Sequence, residues 1–224
     1  FGRAIPPRRG VTMANKAKAS QKKSGRGQSA AQTGGGKTAR RSRRRFVPLD
    51  ELPPTDKDGL FNVVIETPKG SPNKLAYDPQ LGTFKLSAVM PEGLTFPFDF
   101  GFIPGTLGQD GDPLDVLVLM DFPLESGTVV CTRLIGVIEG EQTDRDGSKE
   151  ENDRVIAVSP ESAQYRTVKK LSDVPEQVVE QIQQFFVNYN AQGGKVFAPK
   201  GQHGRKRAES CFETARRRFT HARG

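Results

Sequence analysis

Short apolar stretches separated by proline and glycine turns limit the possible folds of this chain more than any other feature. Each stretch is five to eleven residues long and rich in β-branched or aromatic residues, which is typical of strands. The five stretches are 61–66, 83–89, 115–120, 128–138 and 154–158. From residue 175 the apolar side chains recur at helical spacing instead, and Gly193-Gly194 ends that run.

A second helix is predicted from apolar positions between residues 208 and 219. Several short strands followed by helices favour an α+β, β-rich fold, in which a small β-barrel carries flanking helices on its outside.

Charge divides the chain into unlike parts. Residues 1–45 contain 14 Lys or Arg and no acidic residue, whereas residues 46–199 carry a net charge of −12. A segment so poor in apolar residues cannot offset the entropy lost on ordering. We therefore expect a disordered basic tail over 1–45, with Met13 a candidate initiator, and one folded domain over 46–224.

Three classes of site or location are disfavoured by the sequence. No apolar run approaches the roughly 20 residues that span a bilayer, so no membrane partner is expected. Cys131 and Cys211 are interpreted as free thiols, and His203 and His221 lack zinc-ligand spacing with them. A metal site in this chain would therefore be built from carboxylates.

Three carboxylates lie on one tight turn directly before an apolar strand. They are Asp110, Asp112 and Asp115, and Gly111 and Pro113 shape the turn. Carboxylates held this close repel one another unless a cation or proton lies between them, and oxygen clusters suit hard divalent ions. A solvated acidic turn is the plain alternative. A calcium-binding EF-hand is disfavoured because Pro113 and Leu114 occupy ligand-loop positions.

The run from Asp110 to Val116 resembles the signature of the soluble family I inorganic pyrophosphatases. Further segments resemble the family in the same order, so that the likeness covers roughly residues 55–200. They are 62–68, 72–78, 96–104, 134–138, 185–189 and 194–195. The resemblance implies an OB-like five-stranded barrel and an inorganic diphosphatase, a phosphoanhydride hydrolase. It also implies Mg2+ as cofactor, with Mn2+ or another divalent ion possible, and a homo-oligomer, commonly a hexamer.

The resemblance also assigns roles to individual residues. Water, as a metal-bound hydroxide, would attack pyrophosphate in line, with Asp112 accepting its proton and two orthophosphates leaving. The expected metal ligands are Asp110, Asp115, Glu141, Asp153 and Glu66. The expected substrate-binding residues are Lys74, Lys85, Arg154, Tyr189 and Lys195.

Several positions depart from the family pattern. The family's phosphate-binding arginine falls at Ala88, where Lys85 is a candidate substitute, and a family lysine falls at Asn190. A family glutamate falls at Ala76. Either Asn152 or Asp153 takes the place of an acidic ligand. The remaining acids of this loop, Asp144 and Glu150 among them, are interpreted as mostly solvated.

One function from another class remains open. The basic ends, above all the run 40–45, would let a catalytically weak barrel bind nucleic acid or another polyanion. The acidic centre opposes this alternative because it would repel phosphate backbones. For the enzyme we expect a cytoplasmic location.

Overall fold

The computed structural model describes residues 47–224, so the expected disordered tail and the basic run 40–45 lie outside the described residues. The described part contains nine strands and two α-helices. The strands are β1 (Phe61–Thr67), β2 (Asn73–Asp78), β3 (Thr83–Val89), β4 (Asp99–Ile103), β5 (Leu114–Leu119), β6 (Val129–Thr143), β7 (Lys149–Glu151), β8 (Arg154–Val158) and β9 (Val196–Gly204), and the helices are α1 (Glu176–Gln192) and α2 (Arg205–Arg223).

Five strands close into a ring. The order is β1-β4-β5-β8-β6, and β6 pairs back with β1, so that no edge of this ring is left open. Only β5 and β8 run parallel; the other pairs are antiparallel. The expected five-stranded barrel with flanking helices is confirmed.

Each helix covers a different face of the barrel strands. On β5, Val116 and Val118 pack with Ala208 and Phe212 of α2. Leu117 and Leu119 belong instead to the apolar cluster that includes Ile182 and Phe186 of α1. Successive side chains of a strand point to opposite faces, so β5, which is apolar at every position except Asp115, is buried on both sides. This double burial fixes the strand that follows the acidic turn.

Four strands were not predicted: β4 is short and buried throughout, and β2, β7 and β9 lack the apolar pattern. β2 is mostly polar, and it pairs only with β3 in a separate two-stranded ribbon. β7 has just three residues, all charged. β9 contains Pro199 and Gly201 and is held by its pairing with the second half of β6. Among the described residues no helix is long and apolar enough to cross a membrane.

Candidate active site

A cavity of about 900 Å³ collects most of the predicted site residues. Its walls come from strands at one end of the barrel, the β2–β3 ribbon, the end of α1 and the hairpin formed by β6 and β7. The predicted residues that line it are Glu66, Lys74, Asp110, Asp112, Asp115, Arg154, Tyr189 and Lys195.

The acidic turn is held by its own backbone. Gly111 has φ of 87°, a conformation that residues with a Cβ rarely adopt. The Asp112 N–H donates to Asp110 Oδ1 at 3.1 Å, and the Gly108 N–H donates to the Asp112 carbonyl at 2.6 Å. A Cβ on Gly108 would lie 2.6 Å from Asp110 Oδ1, so a larger residue there would displace the Asp110 side chain. The turn therefore presents its carboxylates in one fixed arrangement.

Strand register brings Asp115 next to Arg154. Val116 pairs with Val155 in the parallel β5–β8 ladder, so the residues one step before them are neighbours. Arg154 Nη1 donates a charge-assisted hydrogen bond to Asp115 Oδ2. The guanidinium also lies over the Phe186 ring, 4.9 Å from its centroid. Its Nε has no hydrogen-bond partner within residues 47–224, which leaves a buried donor at the wall of the cavity.

Glu66 ends β1 as a buried carboxyl group. Its Oε1 accepts the Tyr77 N–H at 2.7 Å. Burial raises the pKa of Glu66 to about 7, the charges of Asp115 and Asp112 add to that rise, and the Tyr77 N–H and Lys74 oppose it. Glu66 therefore shares one electrostatic environment with the acidic turn, although 44 or more residues separate them in sequence.

The same crowding affects the other carboxyl groups of the cavity. Burial raises the pKa of Asp112, and the charge of Asp110 adds to the effect. Burial also raises the pKa of Asp115, against the opposing charges of Arg154 and Lys74. Divalent cations bound beside Asp112 would oppose this rise and favour its ionised form.

The donor set fits a hard divalent cation. The carboxylates supply oxygen ligands, and their raised pKa values mark a cluster with too little positive charge of its own. Within residues 47–224, no three His, Cys, Asp or Glu side chains form a preassembled metal-holding group. Ions that keep several water or phosphate ligands, as Mg2+ does, suit such a partial set of protein ligands.

Aromatic rings position Lys74. Its Nζ lies 5.5 Å from the centroid of Tyr189 and 5.8 Å from that of Phe100. Tyr189 is in turn stacked on Phe185, with 6.0 Å between centroids and 8° between the planes. Ring faces attract a cation and exclude water. The ammonium group is therefore held at the cavity wall by packing, and within residues 47–224 it has no carboxylate partner.

The hairpin of β6 and β7 supplies a second acidic wall. Gln142 is buried and donates from Nε2 to Asp144 Oδ1 at 2.7 Å and to Glu150 Oε1 at 2.9 Å. Its Oε1 accepts from Asn152 Nδ2 at 2.9 Å. Lys195 Nζ lies 3.0 Å from Asp144 Oδ1. Burial raises the pKa of Glu150, and the charges of Asp110 and Asp144 add to the rise, so this wall interacts electrostatically with the acidic turn.

Three predicted site residues lie outside the cavity lining. Glu141 binds Lys149 at 2.9 Å, because side chains alternate along β6 and Gln142 takes the cavity face. Asn152 lines the cavity, and its neighbour Asp153 does not. The Asp153 carboxylate accepts the Gly140 N–H and lies near the Cys211 thiol of α2.

Lys85 is the third predicted residue outside the cavity. It binds Asp78 at 3.1 Å and is 58% exposed. It therefore does not occupy the position that Ala88 leaves without a charge, and the lining offers no cationic substitute there.

Sequence reasoning missed the cavity-facing positions of Asp144 and Glu150. A usable signal was present, because Asp146-Gly147 is a turn dipeptide and Gly147 has φ of 84°. A hairpin centred there pairs Gln142 with Glu150. Cross-strand partners share a face, so the same alternation that removes Glu141 from the cavity brings Glu150 into it.

A carboxylate cluster beside lysine and arginine, in a cavity at one end of a small barrel, is typical of one class of protein. It is the class of hydrolases that act on phosphate compounds with the help of divalent cations. The comparisons with known proteins narrow that class.

A family profile described as inorganic pyrophosphatase matches residues 63–220. The inorganic pyrophosphatase of Thermus thermophilus is 42% identical over 164 residues, which cover 71% of this chain and 91% of the relative. That of a Synechocystis species is 38% identical over 149 residues, 66% of this chain and 85% of the relative. The chain belongs to the inorganic pyrophosphatase family, whose members require divalent metal ions.

Solved structures agree with this assignment. The crystal structure of the Thermus thermophilus inorganic pyrophosphatase matches with a TM-score of 0.70 at 39% identity, over 78% of this chain and 99% of that chain. The Neisseria gonorrhoeae enzyme matches with a TM-score of 0.69 at 31% identity, over 75% and 96% of the two chains. Nothing in these comparisons supports the nucleic-acid-binding alternative.

Proposed function

We propose that this protein hydrolyses inorganic pyrophosphate to two orthophosphates, with Mg2+ as its preferred cation. The observation that carries the proposal is the convergence of Glu66, Lys74, Arg154 and the acidic turn on one cavity, from four separate segments of the chain. Family membership supports the reaction, and the oxygen-only donor set supports a hard cation such as Mg2+, with Mn2+ as the nearest alternative.

The proposed cation ligands are revised from the sequence-based set. Asp110, Asp115 and Glu66 are kept, and Asp144 and Glu150 take the roles first given to Glu141 and Asp153. The revision rests on the cavity lining and on the charge coupling of Glu150 to Asp110. When bound, divalent cations neutralise phosphate charge and lower the pKa of water.

Asp112 is the proposed proton acceptor. Its carboxyl group lies on the same turn as two proposed ligands, and its main-chain N–H donates to Asp110. Removing a proton from the attacking water requires a carboxylate that is ionised when the reaction begins. Because Asp110 and Asp112 repel each other, added positive charge in the cavity favours that ionised form.

Four side chains are proposed to bind the phosphoryl groups. Lys74 has no carboxylate partner within residues 47–224, and aromatic rings hold it in place. Arg154 keeps a buried Nε donor without a partner in the same range. Lys195 and Tyr189 also line the cavity, and the Tyr189 ring lies 5.5 Å from Lys74 Nζ. Together these cations and donors can bind the leaving phosphate and stabilise the charge that develops on it.

The decisive experiment is a phosphate-release assay on pyrophosphate, with and without Mg2+. We expect release that depends on added Mg2+ and that survives deletion of residues 1–45. Absence of release at any Mg2+ or Mn2+ concentration, from protein shown to be folded, would refute the proposed function. Loss of release on deletion of the basic tail would instead return weight to the polyanion-binding alternative.

A homo-oligomer and a cytoplasmic location complete the proposal. Family membership supports the oligomer, and several large apolar side chains are exposed on the single chain, among them Phe122 at 79% and Val196 at 62%. Light scattering of the purified protein tests whether it forms a hexamer. Cell fractionation tests the location.

A further inference from the structure

The cavity is much larger than the proposed substrate. Pyrophosphate consists of only two phosphoryl groups, whereas about 900 Å³ is the size of pockets that bind ligands of drug-like dimensions. Pyrophosphate and its cations would occupy the end formed by the acidic turn and Lys74. The cavity extends beyond them, and the side chains of its remaining walls therefore influence which substrates can bind.

One of those walls is apolar and begins beside Lys74. Ala88 pairs with Lys74 across the β2–β3 ribbon and packs against the core cluster. Val89, Met90 and Pro91 continue the lining from there. Alanine has a short side chain, so space is left where the family pattern has an arginine. Lys85 does not fill it, because its ammonium group is bound to Asp78.

The cations of the cavity are few and mostly paired. Arg154, Lys195 and Arg223 line it, and each forms an ion pair with a carboxylate, whereas Lys74 has none within residues 47–224. Asn190 adds no charge where the family pattern has a lysine. A phosphoryl group that carries an ester has one negative charge fewer than a free terminal one. It therefore needs fewer cations, and an apolar substituent on it gains from an apolar wall.

We propose that the enzyme also hydrolyses alkyl diphosphates, with the alkyl group bound along Ala88, Val89, Met90 and Pro91. The inference rests on the proposed function, because the same acidic turn acts on the terminal phosphoryl group. Water forms a new bond to the terminal phosphorus, and the bond from that phosphorus to the bridging oxygen breaks. The products are the alkyl monophosphate, which keeps the bridging oxygen, orthophosphate and one proton.

The test compares two substrates on the full-length, Mg2+-loaded protein: pyrophosphate and 3-methylbutyl diphosphate. We expect phosphate release from both, with kcat/KM for the alkyl substrate within about 100-fold of that for pyrophosphate. Release from pyrophosphate alone overturns the inference and leaves the proposed function standing. Release from neither overturns the proposed function itself.

Substitutions on one strand locate the alkyl site. Ala88→Arg places a charge and a long side chain in the apolar wall, so we expect at least a tenfold loss on the alkyl diphosphate and higher activity on pyrophosphate. Leu86→Arg adds the same side chain at a 59% exposed position outside the cavity lining, and neither activity should change. Equal losses on both substrates in Ala88→Arg, with Leu86→Arg unaffected, overturn the selective role of the wall.

A second substitution guards against misfolding of Ala88→Arg. Val89 lines the cavity but is 66% exposed, so Val89→Asp should leave the fold intact. We expect it to weaken competitive inhibition by 3-methylbutyl methylenediphosphonate about tenfold, with little effect on inhibition by unsubstituted methylenediphosphonate. An unchanged ratio of the two inhibition constants overturns the assignment of the alkyl group to this wall.

Discussion

The two acidic walls of the cavity are built differently. The acidic turn leads into β5, which pairs with β4 on one side and β8 on the other, inside a closed barrel. The opposite wall is the hairpin of β6 and β7, in which β7 pairs with β6 alone at three positions. The structure places the predicted residues of the closed barrel in the cavity lining, whereas on the hairpin Asp144 and Glu150 line it instead of Glu141. On the hairpin itself, Glu141 lies on β6, which pairs with both β7 and β9, whereas Glu150 lies on β7, which pairs with β6 alone.

Burial follows the same division. Glu66 and Arg154 at the barrel end are 9% and 5% exposed, and burial raises the pKa of Glu66. On the hairpin, the Glu141 side chain is 31% exposed, and its hydrogen bond with Lys149 lowers its pKa. The carboxylates at the barrel end therefore have an unfavourable electrostatic energy, which a bound cation would lower. On the hairpin, Glu141 is neutralised by Lys149 and Lys200.

The largest expected effect is at the barrel end. Asp112→Asn or Asp115→Asn should each lower kcat for pyrophosphate by about 10³-fold or more, because proton acceptance or cation binding is lost. Steady-state phosphate release with Mg2+ measures the change. Asp146→Asn, on the exposed hairpin tip, is the matched control and should retain activity within about twofold. Full activity in either barrel variant would contradict the assigned site.

The sequence signals at the barrel end are local, and the structure brings the predicted residues there into one cavity. A few consecutive residues suffice to identify the acidic turn, the apolar strand after it and the first residue of β8. The structure places the hairpin acids differently because the Asp146-Gly147 turn sets the register, and the prediction did not use that turn. A register shift of one residue puts Gln142 rather than Glu141 on the face toward the cavity, and Asn152 rather than Asp153. β9 depends on pairing with the distant strand β6, and β2 forms a hairpin with its neighbour β3; neither sequence carries an apolar strand pattern.

The next effect concerns pH and stability of the metal-free protein. The pKa of Glu66 is about 7 in the folded state against an ordinary 4.5, so the folded state binds more protons between these values. Its contribution to stability is therefore complete below pH 4.5 and is lost as pH rises through 7. The loss amounts to roughly 3 kcal/mol. Urea unfolding in EDTA, from pH 4 to 8, measures it against Glu66→Gln.

The control for this experiment lies on the hairpin. Because Lys149 lowers the pKa of Glu141, that group contributes stability that is present above pH 4.5 and lost as pH falls. Glu141→Gln should therefore change the pH dependence slightly and in the opposite sense. If wild-type protein and Glu66→Gln share one pH profile, the raised pKa at the barrel end is refuted.

A smaller effect distinguishes the two faces of the hairpin. Glu150→Gln should weaken Mg2+ binding by roughly tenfold, as measured by calorimetry without substrate, because a carboxylate that faces Asp110 loses its charge. Glu141→Gln makes the same chemical change on the face outside the cavity lining and should leave Mg2+ affinity unaltered. The reverse result would restore Glu141 as the ligand and remove Glu150.

The smallest effect on activity is expected behind the hairpin, at Asp153. Its Oδ1 accepts the Gly140 N–H at 3.3 Å, and its Oδ2 accepts from the Cys211 thiol, whose pKa burial raises to about 12. Asp153→Ala removes both acceptors and should lower the free energy of unfolding by about 1 kcal/mol. Pyrophosphate hydrolysis and Mg2+ affinity should stay within about twofold, because the side chain does not line the cavity. A tenfold loss of Mg2+ affinity in this variant, with stability unchanged, would make Asp153 a ligand after all and extend the site to both faces of the hairpin.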